Sequence, residues 1–307
     1  MGLCIIGSEK SESNLKLLEY AKRKFDSVFL VPINGIRLTL GKEFMIHYRT
    51  TNLMKFDAVL TRIPKEFYTF AYQLLSLFPP DTYMPIKPIS FLVTEERFFM
   101  MSVLRKRNIP TIDINLARSS KAIQFILENA NYPLLLRVPG NDIGVVVETQ
   151  KEAKSIVETI ESLKSPVIVE EIIKDLVSLY VVGNEVVVAV RKKSEEKDLV
   201  FGKGKIKKEG NIDAEVKYIA TDTANAIDTQ IARIDITTIP QPRVVNIELN
   251  PALIDVSKVC KVDIAKRIID TIYTGYLKNK EKPLLVKFFE DAKSVVKEVL
   301  KNSKILI

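Results

Sequence analysis

The sequence predicts an α/β fold, and three observations point to it. Roughly the first ninety residues alternate short apolar strand-like runs with helical spacing, the βαβ rhythm of a small parallel sheet. The later part adds strand pairs around turn residues, the pattern of antiparallel hairpins, so the class is mixed, α+β as well as α/β. Hydrophobic residues make up 47% of the 307, enough for a buried core and too many for a disordered chain. This length suggests two or three structural units.

The elements follow in order. Leu3–Ile6 reads as a strand, Ser13–Phe25 as a helix with apolar residues at helical spacing, and Ser27–Pro32 again as a strand. Ala58–Thr61 is a further strand, and Phe67–Leu77 is a helix ended by Pro79-Pro80. Thr94, followed by Glu95-Glu96-Arg97 and an apolar run, reads as the cap of a helix reaching about Lys106. Asn108-Ile109-Pro110-Thr111 turns into a short strand, and Ser119–Asn129 is a helix capped by Ser119 or Ser120. Leu134–Val138 and Gly144–Glu148 are strands around Pro139-Gly140-Asn141-Asp142. Glu152–Leu163 is a helix and Pro166–Glu170 a strand. Val177–Val190 alternates and turns at Gly183-Asn184, a hairpin. Residues 194–212 are polar and rich in Gly and Lys, a loop, and Ala220–Ile231 reads as a helix. Ile234–Thr237 and Val244–Glu248 are strands joined across Pro240-Gln241-Pro242. Amphipathic helices at Val262–Leu277 and Leu285–Asn302 close the chain.

Composition bounds the function. The net charge of +8 suits an anionic substrate such as ATP, an acidic protein partner or nucleic acid. Part of the excess lies in Arg191-Lys192-Lys193 and in Lys203, Lys205, Lys207 and Lys208, each cluster reading on its own as a solvated face. No aromatic stacking platform accompanies these lysines, which argues against a nucleic-acid binder. No apolar run is long enough to span a bilayer, and the N-terminus lacks a signal-peptide pattern. Cys4 and Cys260 give neither a disulfide framework nor a zinc spacing, so the expected location is the cytoplasm. The absence of Trp, with abundant Lys, Glu and Ile, fits a thermophilic source.

Chemistry gathers at Asn246-Ile247-Glu248-Leu249-Asn250-Pro251. Residues two apart on a strand share a face, so Glu248 and Asn250 project together. A hairpin turning near Pro240-Gln241 brings Asp235, on the preceding strand, opposite Asn246–Glu248. Two carboxylates and an amide oxygen are hard donors suited to Mg²⁺, whose other positions go to phosphate and water. His47, the single histidine, reads as structural, and no Ser/His/Asp set is evident.

Ile234-Asp235-Ile236 followed by Val245-Asn246-Ile247-Glu248-Leu249-Asn250-Pro251 resembles the metal-binding end of the ATP-grasp superfamily, nearest to RimK-like ligases, which attach amino acids such as glutamate to a carboxylate. The similarity runs in order from about Phe56 to about Ala265. It takes in Phe56-Asp57-Ala58-Val59-Leu60-Thr61-Arg62-Ile63, Pro133-Leu134-Leu135-Leu136-Arg137, Ile143-Gly144-Val145-Val146, Val169-Glu170-Glu171-Ile172-Ile173 and Val181-Val182-Gly183.

The resemblance implies an ATP-grasp fold: an N-terminal parallel-sheet domain (1–93), a central lid subdomain (94–173) and a C-terminal mixed-sheet lobe (174–307). It implies that Gly140 to Gly144 form the loop over the triphosphate, where backbone N–H groups approach phosphate closely. Glu170, Glu171, Ile172 and Ile173 become the segment between the lobes that binds adenine. Asp235, Glu248 and Asn250 become ligands of Mg²⁺, with Mn²⁺ as an alternative ion. Three departures accompany it. Arg97 and Arg137 stand where the family usually has phosphate-contacting lysines, keeping the charge but changing the geometry. The family's Asp-x-Arg is replaced, its acid shifted to Asp175 and its arginine position taken by Ser178. The Arg-Gly-Gly loop has no clean match; the region reads Phe201-Gly202-Lys203-Gly204-Lys205-Ile206-Lys207-Lys208.

The function implied is an ATP- and Mg²⁺-dependent carboxylate–amine ligase working through an acylphosphate, adding an amino acid such as glutamate to a small molecule or protein. Its work is positioning and charge neutralisation, with Arg97 and Arg137 as the catalytic cations. The alternatives are a degenerate member with a nucleotide-binding or scaffold role, and a kinase on the same fold. An acidic carrier protein is a further expected partner, a homodimer is the base-rate expectation, and Arg62 is a candidate carboxylate binder beyond the Ala58–Thr61 strand.

Overall fold

The computed structural model describes residues 1–7, 11–41, 44–140, 144–193 and 205–281. Contacts gather the described residues into two compact units, one of Met1–Lys87 with Ile264–Glu281, the other within Pro88–Asp263.

The first unit is built on a parallel sheet of order β2-β1-β6, with β1 (Gly2–Gly7), β2 (Ser27–Pro32) and β6 (Ala58–Arg62). Every residue of β1 is buried, as its continuous apolar run requires of a central parallel strand. Helix α1 (Glu12–Ala21) starts at Ser11, whose Oγ accepts from the Asn14 N–H at 3.2 Å. An antiparallel ribbon, β3 (Ile36–Leu40), β4 (Phe44–Tyr48) and β5 (Thr51–Asn52), was not evident in the sequence. Its strands are mostly half-buried, so apolar and polar residues do not alternate cleanly. Helix α2 (Tyr68–Leu75) matches the expected Phe67–Leu77 within its ends.

In the second unit α3 (Pro88–Glu95) and α4 (Arg97–Lys106) follow each other. Thr94 does not cap α4: it lies inside α3, and its Oγ1 donates to the Ser90 carbonyl at 2.7 Å. Glu96 is the cap, accepting from the N–H groups of Phe98 (3.0 Å) and Phe99 (2.7 Å). A four-stranded antiparallel sheet of order β7-β10-β8-β9 comes next, made of β7 (Ile114–Ala117), β8 (Leu134–Arg137), β9 (Gly144–Val147) and β10 (Val167–Glu171). Helices α5 (Ser120–Asn129) and α6 (Gln150–Ser162) cover one face, capped by Ser119 and Thr149. Leu134, Leu136, Val147, Val167 and Val169 pack there against Ile123, Leu127, Ala153 and Val157. Full burial of such side chains contributes about 1.5–3 kcal/mol each.

The second sheet has order β13-β12-β11-β14-β15. Its strands are β11 (Val177–Val182), β12 (Glu185–Lys193), β13 (Lys205–Lys208), β14 (Ile231–Thr237) and β15 (Arg243–Glu248), all antiparallel. The turn at Gly183-Asn184 is where expected, with Gly183 at φ 69°. Part of the expected 194–212 loop is instead β13, a lysine-rich edge strand of the kind that resists further pairing. Residues 194–204 lie outside the described residues, so the readings on Lys203 and on Phe201 to Gly204 do too. Helix α7 (Ala214–Ala226) starts before the expected Ala220 because Asp213 caps it, accepting from the Glu215 N–H at 3.0 Å. It packs on β11, β12 and β14. Helix α8 (Ile254–Cys260) precedes α9 (Ile264–Glu281), which belongs to the first unit and packs on α1. The expected helix at Leu285–Asn302 lies outside the described residues.

Candidate nucleotide and metal site

Alternation along β8 and β10 decides which side chains leave the core of the β7-β10-β8-β9 sheet. Leu134, Leu136, Val167 and Val169 face α5 and α6, so Arg137 and Glu170 project from the other face. Glu170 is 2% exposed, an unusual place for a carboxylate unless it is paired. Arg97, the first residue of α4, donates through Nε to Glu170 Oε1. Arg137 Nε lies 3.9 Å from Glu170 Oε2. Two arginines thus share one buried carboxylate, leaving a net positive charge on this face. Arg97 also reaches the other sheet, with Nη1 donating to Asn246 Oδ1 at 3.4 Å.

On β14 and β15 the expected juxtaposition is present: Asp235 lies directly opposite Asn246, and Arg233 opposite Glu248. Asp235 is 3% exposed. Its Oδ1 accepts from Ser178 Oγ at 2.6 Å and Arg233 Nε at 2.9 Å; its Oδ2 accepts from Arg233 Nη2 at 2.9 Å and Asn246 Nδ2 at 3.3 Å. Burial alone would push the Asp235 carboxyl up, but the Arg233 guanidinium and these hydrogen bonds outweigh it and hold it below the ordinary carboxylate value. Burial likewise works against the Arg233 charge, and Asp235 overcomes it. Glu248 Oε1 accepts from the backbone N–H of Asn250 at 2.9 Å.

Among the described residues no group of three or more His, Cys, Asp or Glu is placed to hold a metal ion. The hard donors available are therefore two carboxylates and an amide. Glu248 and Asn250 fit Mg²⁺, which accepts few protein ligands and takes the rest from phosphate and water. The oxygens of Asp235 carry four protein hydrogen bonds, which fills the roughly four acceptor sites of a carboxylate.

Gly140 has φ 75°, the left-handed turn glycine favours, and Gly144 opens β9 opposite Arg137. A Cβ on Gly144 would stand 2.9 Å from Leu135 Cδ1, 3.0 Å from Arg137 Cγ and 3.1 Å from the Leu136 carbonyl, so a side chain there would crowd both Leu135 and the arginine. Residues 141–143 of this expected loop lie outside the described residues. Glu171 holds Arg243 in a forked pair, 2.5 Å from Nη1 and 3.2 Å from Nη2. Ile172 and Ile173, half-buried, connect β10 of one sheet to β11 of the other. Asp175 is engaged by Arg191 and by Thr238 Oγ1 at 2.5 Å. Burial would raise its carboxyl, and these partners together pull it below the ordinary value.

Arg191 and Lys192 are not on a solvated face. Arg191 pairs with Asp175 and, at 2.7 Å, with Glu209. Lys192 is half-buried, and burial lowers its ammonium pKa although the Asp235 charge opposes that. The residue missed from sequence was Arg233. Its signal was present, since it stands two before Asp235 on one strand face. In the first unit Arg62 is buried, with Nε donating to Asn14 Oδ1 at 3.5 Å. There too a cavity of ≈ 450 Å³ opens beside the carboxyl ends of β1 and β2, lined by Gly7, Phe29, Pro32, Tyr48, Arg49 and Thr51.

Comparison with known proteins adds an independent line. Residues 94–272 match the model of the RimK-like ATP-grasp domain. A "Probable alpha-L-glutamate ligase" of Pseudoalteromonas translucida is 24% identical over 281 residues, covering 86% of this chain and 92% of that protein. The structure of the ATP-grasp ligase PsnB, with a phosphomimetic variant of its minimal precursor, Mg and ADP, superposes with a TM-score of 0.68 at 16% identity, over 89% of this chain and 98% of that one. D-alanine–D-alanine ligase of Bacillus anthracis, complexed with ATP, gives a TM-score of 0.63 at 17% identity, over 92% and 100%. These likenesses establish the ATP-grasp fold expected from the sequence.

Proposed function

The chain belongs to the RimK-like ATP-grasp family, and on that premise we propose that it is an ATP- and Mg²⁺-dependent ligase joining a carboxylate to an amine, with L-glutamate as the amino acid added. The observation that carries the reading is Arg97. Its guanidinium touches Glu170 on the lid sheet and Asn246 beside the acidic strands, so the cationic and acidic halves of the site meet in one place. We assign the lid subdomain to 94–173, ending at the Glu171-Ile172-Ile173 connection that backs the adenine, and the catalytic lobe to the strands from Val177 onward.

The roles follow from charge and position. Arg97 and Arg137 bind the phosphates of ATP and offset the charge that builds on the transferred phosphoryl group. Being planar forks, they present paired N–H groups to phosphate oxygens, which lysines do not. Backbone N–H groups near Gly140 and Gly144 close over the same oxygens. Glu248 and Asn250 hold Mg²⁺, with Asp235 behind them; when bound, the ion neutralises and orients the phosphates. The substrate carboxylate takes the γ-phosphoryl of ATP to give an acylphosphate and ADP. The amine then displaces phosphate, forming the amide, and loses a proton. No covalent enzyme nucleophile is needed, in keeping with a site made of arginines, carboxylates and amides. The glutamate assignment draws on the relative named as a probable alpha-L-glutamate ligase. The net charge of +8 favours an acceptor on an acidic peptide or carrier.

Incubation with ATP, Mg²⁺, L-glutamate and a panel of acidic peptides tests this. ADP release that requires both glutamate and a peptide, with a matching mass increase on the peptide, is expected. ATP binding without ADP release from any acid–amine pair would favour the nucleotide-binding alternative, which the hydrogen-bond saturation of Asp235 also suits.

A further inference from the structure

We infer that Arg233 is a built-in cation that keeps Asp235 out of metal coordination, so that a bound divalent ion is carried by Glu248 and Asn250 alone. The inference deepens the reading above and rests on it. Three observations carry it. First, both oxygens of Asp235 are used: the Arg233 fork takes one position on each, and Ser178 and Asn246 take the others. Second, the fork is set by the backbone, because residues two apart on one strand face keep a fixed spacing, and β11 and β15 wall Asp235 in on either side. Third, Arg233 lies opposite Glu248, so were it to leave Asp235 the carboxylate facing it across the strand pair is Glu248, itself the metal ligand. Either way one of the two carboxylates remains paired with a guanidinium. A metal on Asp235 would also strand a partly buried guanidinium, 20% exposed, beside a dication.

Charge counting gives the consequence. Asp235 and Glu248 contribute two negative charges; Arg233 offsets one, and Lys192, whose charge also acts on Asp235, opposes the remainder, so little net negative charge is left to attract metal. Only two of the five guanidinium N–H groups face Asp235.

The test is Mn²⁺ binding to the full chain, read by electron paramagnetic resonance with and without a non-hydrolysable ATP analogue. The wild type is expected to bind one Mn²⁺ per chain. R233Q frees Asp235, and at least a fivefold tighter site or a second bound Mn²⁺ is expected. R233Q/D235N, which has no charge at either position, should return to the wild-type value, while E248Q should weaken binding at least tenfold. Unchanged Mn²⁺ binding in R233Q would overturn the inference. So would an R233Q/D235N variant that keeps a cooperative melt yet loses Mn²⁺ as severely as E248Q. The arm without nucleotide reads Asp235 by itself, so a chain that binds no nucleotide counts against the ligase reading and not against this one.

Discussion

At the scale of single residues, the site is organised by arginine–carboxylate pairs rather than by lone charges. Glu170 is the clearest case, because two arginines depend on one buried carboxylate. Replacing it by Gln leaves both cations in place without their counter-charge, and loss of one partner of a buried pair costs about 3–5 kcal/mol. E170Q should therefore unfold at lower urea, and saturating ATP should recover more stability in E170Q than in wild type, because phosphate restores an anion between the arginines. Equal recovery would separate these arginines from phosphate binding. Gly144 gives a second case: a Cβ there meets Arg137 Cγ at 3.0 Å. G144A should weaken ATP binding through displacement of Arg137 while β9 stays paired, and a nucleotide titration alongside circular dichroism separates the two effects. Asp175 supplies a pH dependence. Its folded pKa lies below the ordinary 3.8, so the folded chain binds fewer protons than the unfolded one. The stabilisation is complete above roughly pH 4–5 and is lost as pH falls through the folded value. Melting curves should show D175N less stable than wild type at pH 7, with the gap closing as the solution is acidified below 3.8.

At the scale of elements, the helical cover of the four-stranded sheet fixes where Arg137 and Glu170 point. Ile123 on α5 is 0% exposed within that core. I123A should cost about 2–5 kcal/mol by urea unfolding, and it should loosen ATP binding only through the sheet it supports. How much of this was legible depended on local chemistry. The hairpins at Gly183-Asn184 and across Pro240-Gln241-Pro242 could be read because turn residues punctuate them, and the second put Asp235 opposite Asn246 as expected. The β3–β5 ribbon could not be read, since its strands are half-buried and carry no clean alternation. Thr94 and Glu96 are both capable caps, and only tertiary context chose Glu96. The saturation of Asp235 was hidden for another reason. It needs Ser178 and Asn246 from two neighbouring strands, and Arg233 was visible only to a search for cations two residues before an acid. Helix α9 illustrates the same limit. Its amphipathic face was legible, but its partner was not: it packs on α1, with Phe25 and Tyr273 edge to face at 5.8 Å and Lys24 2.5 Å from Asp270.

At the scale of the whole molecule, the family match at 94–272 covers the entire set of residues assigned to ATP and metal. The unit Pro88–Asp263 contains all of them. No helix among the described residues is long and apolar enough to cross a membrane. The surplus of eight positive charges over the chain should speed encounter with ATP and with acidic acceptors, an effect that salt weakens. Arg97 and Arg137, together with Glu248 and Asn250, are proposed to form one ATP–Mg²⁺ site. Calorimetric titration of wild type and of R97A/R137A with an ATP analogue and Mg²⁺ tests it most directly. Wild type should show one site per chain with a dissociation constant of roughly 1 μM to 1 mM, the range typical of enzyme substrates. The double variant should bind at least about tenfold more weakly, the size of a charge-assisted hydrogen bond. No binding by wild type, or equal binding by the variant, would contradict it.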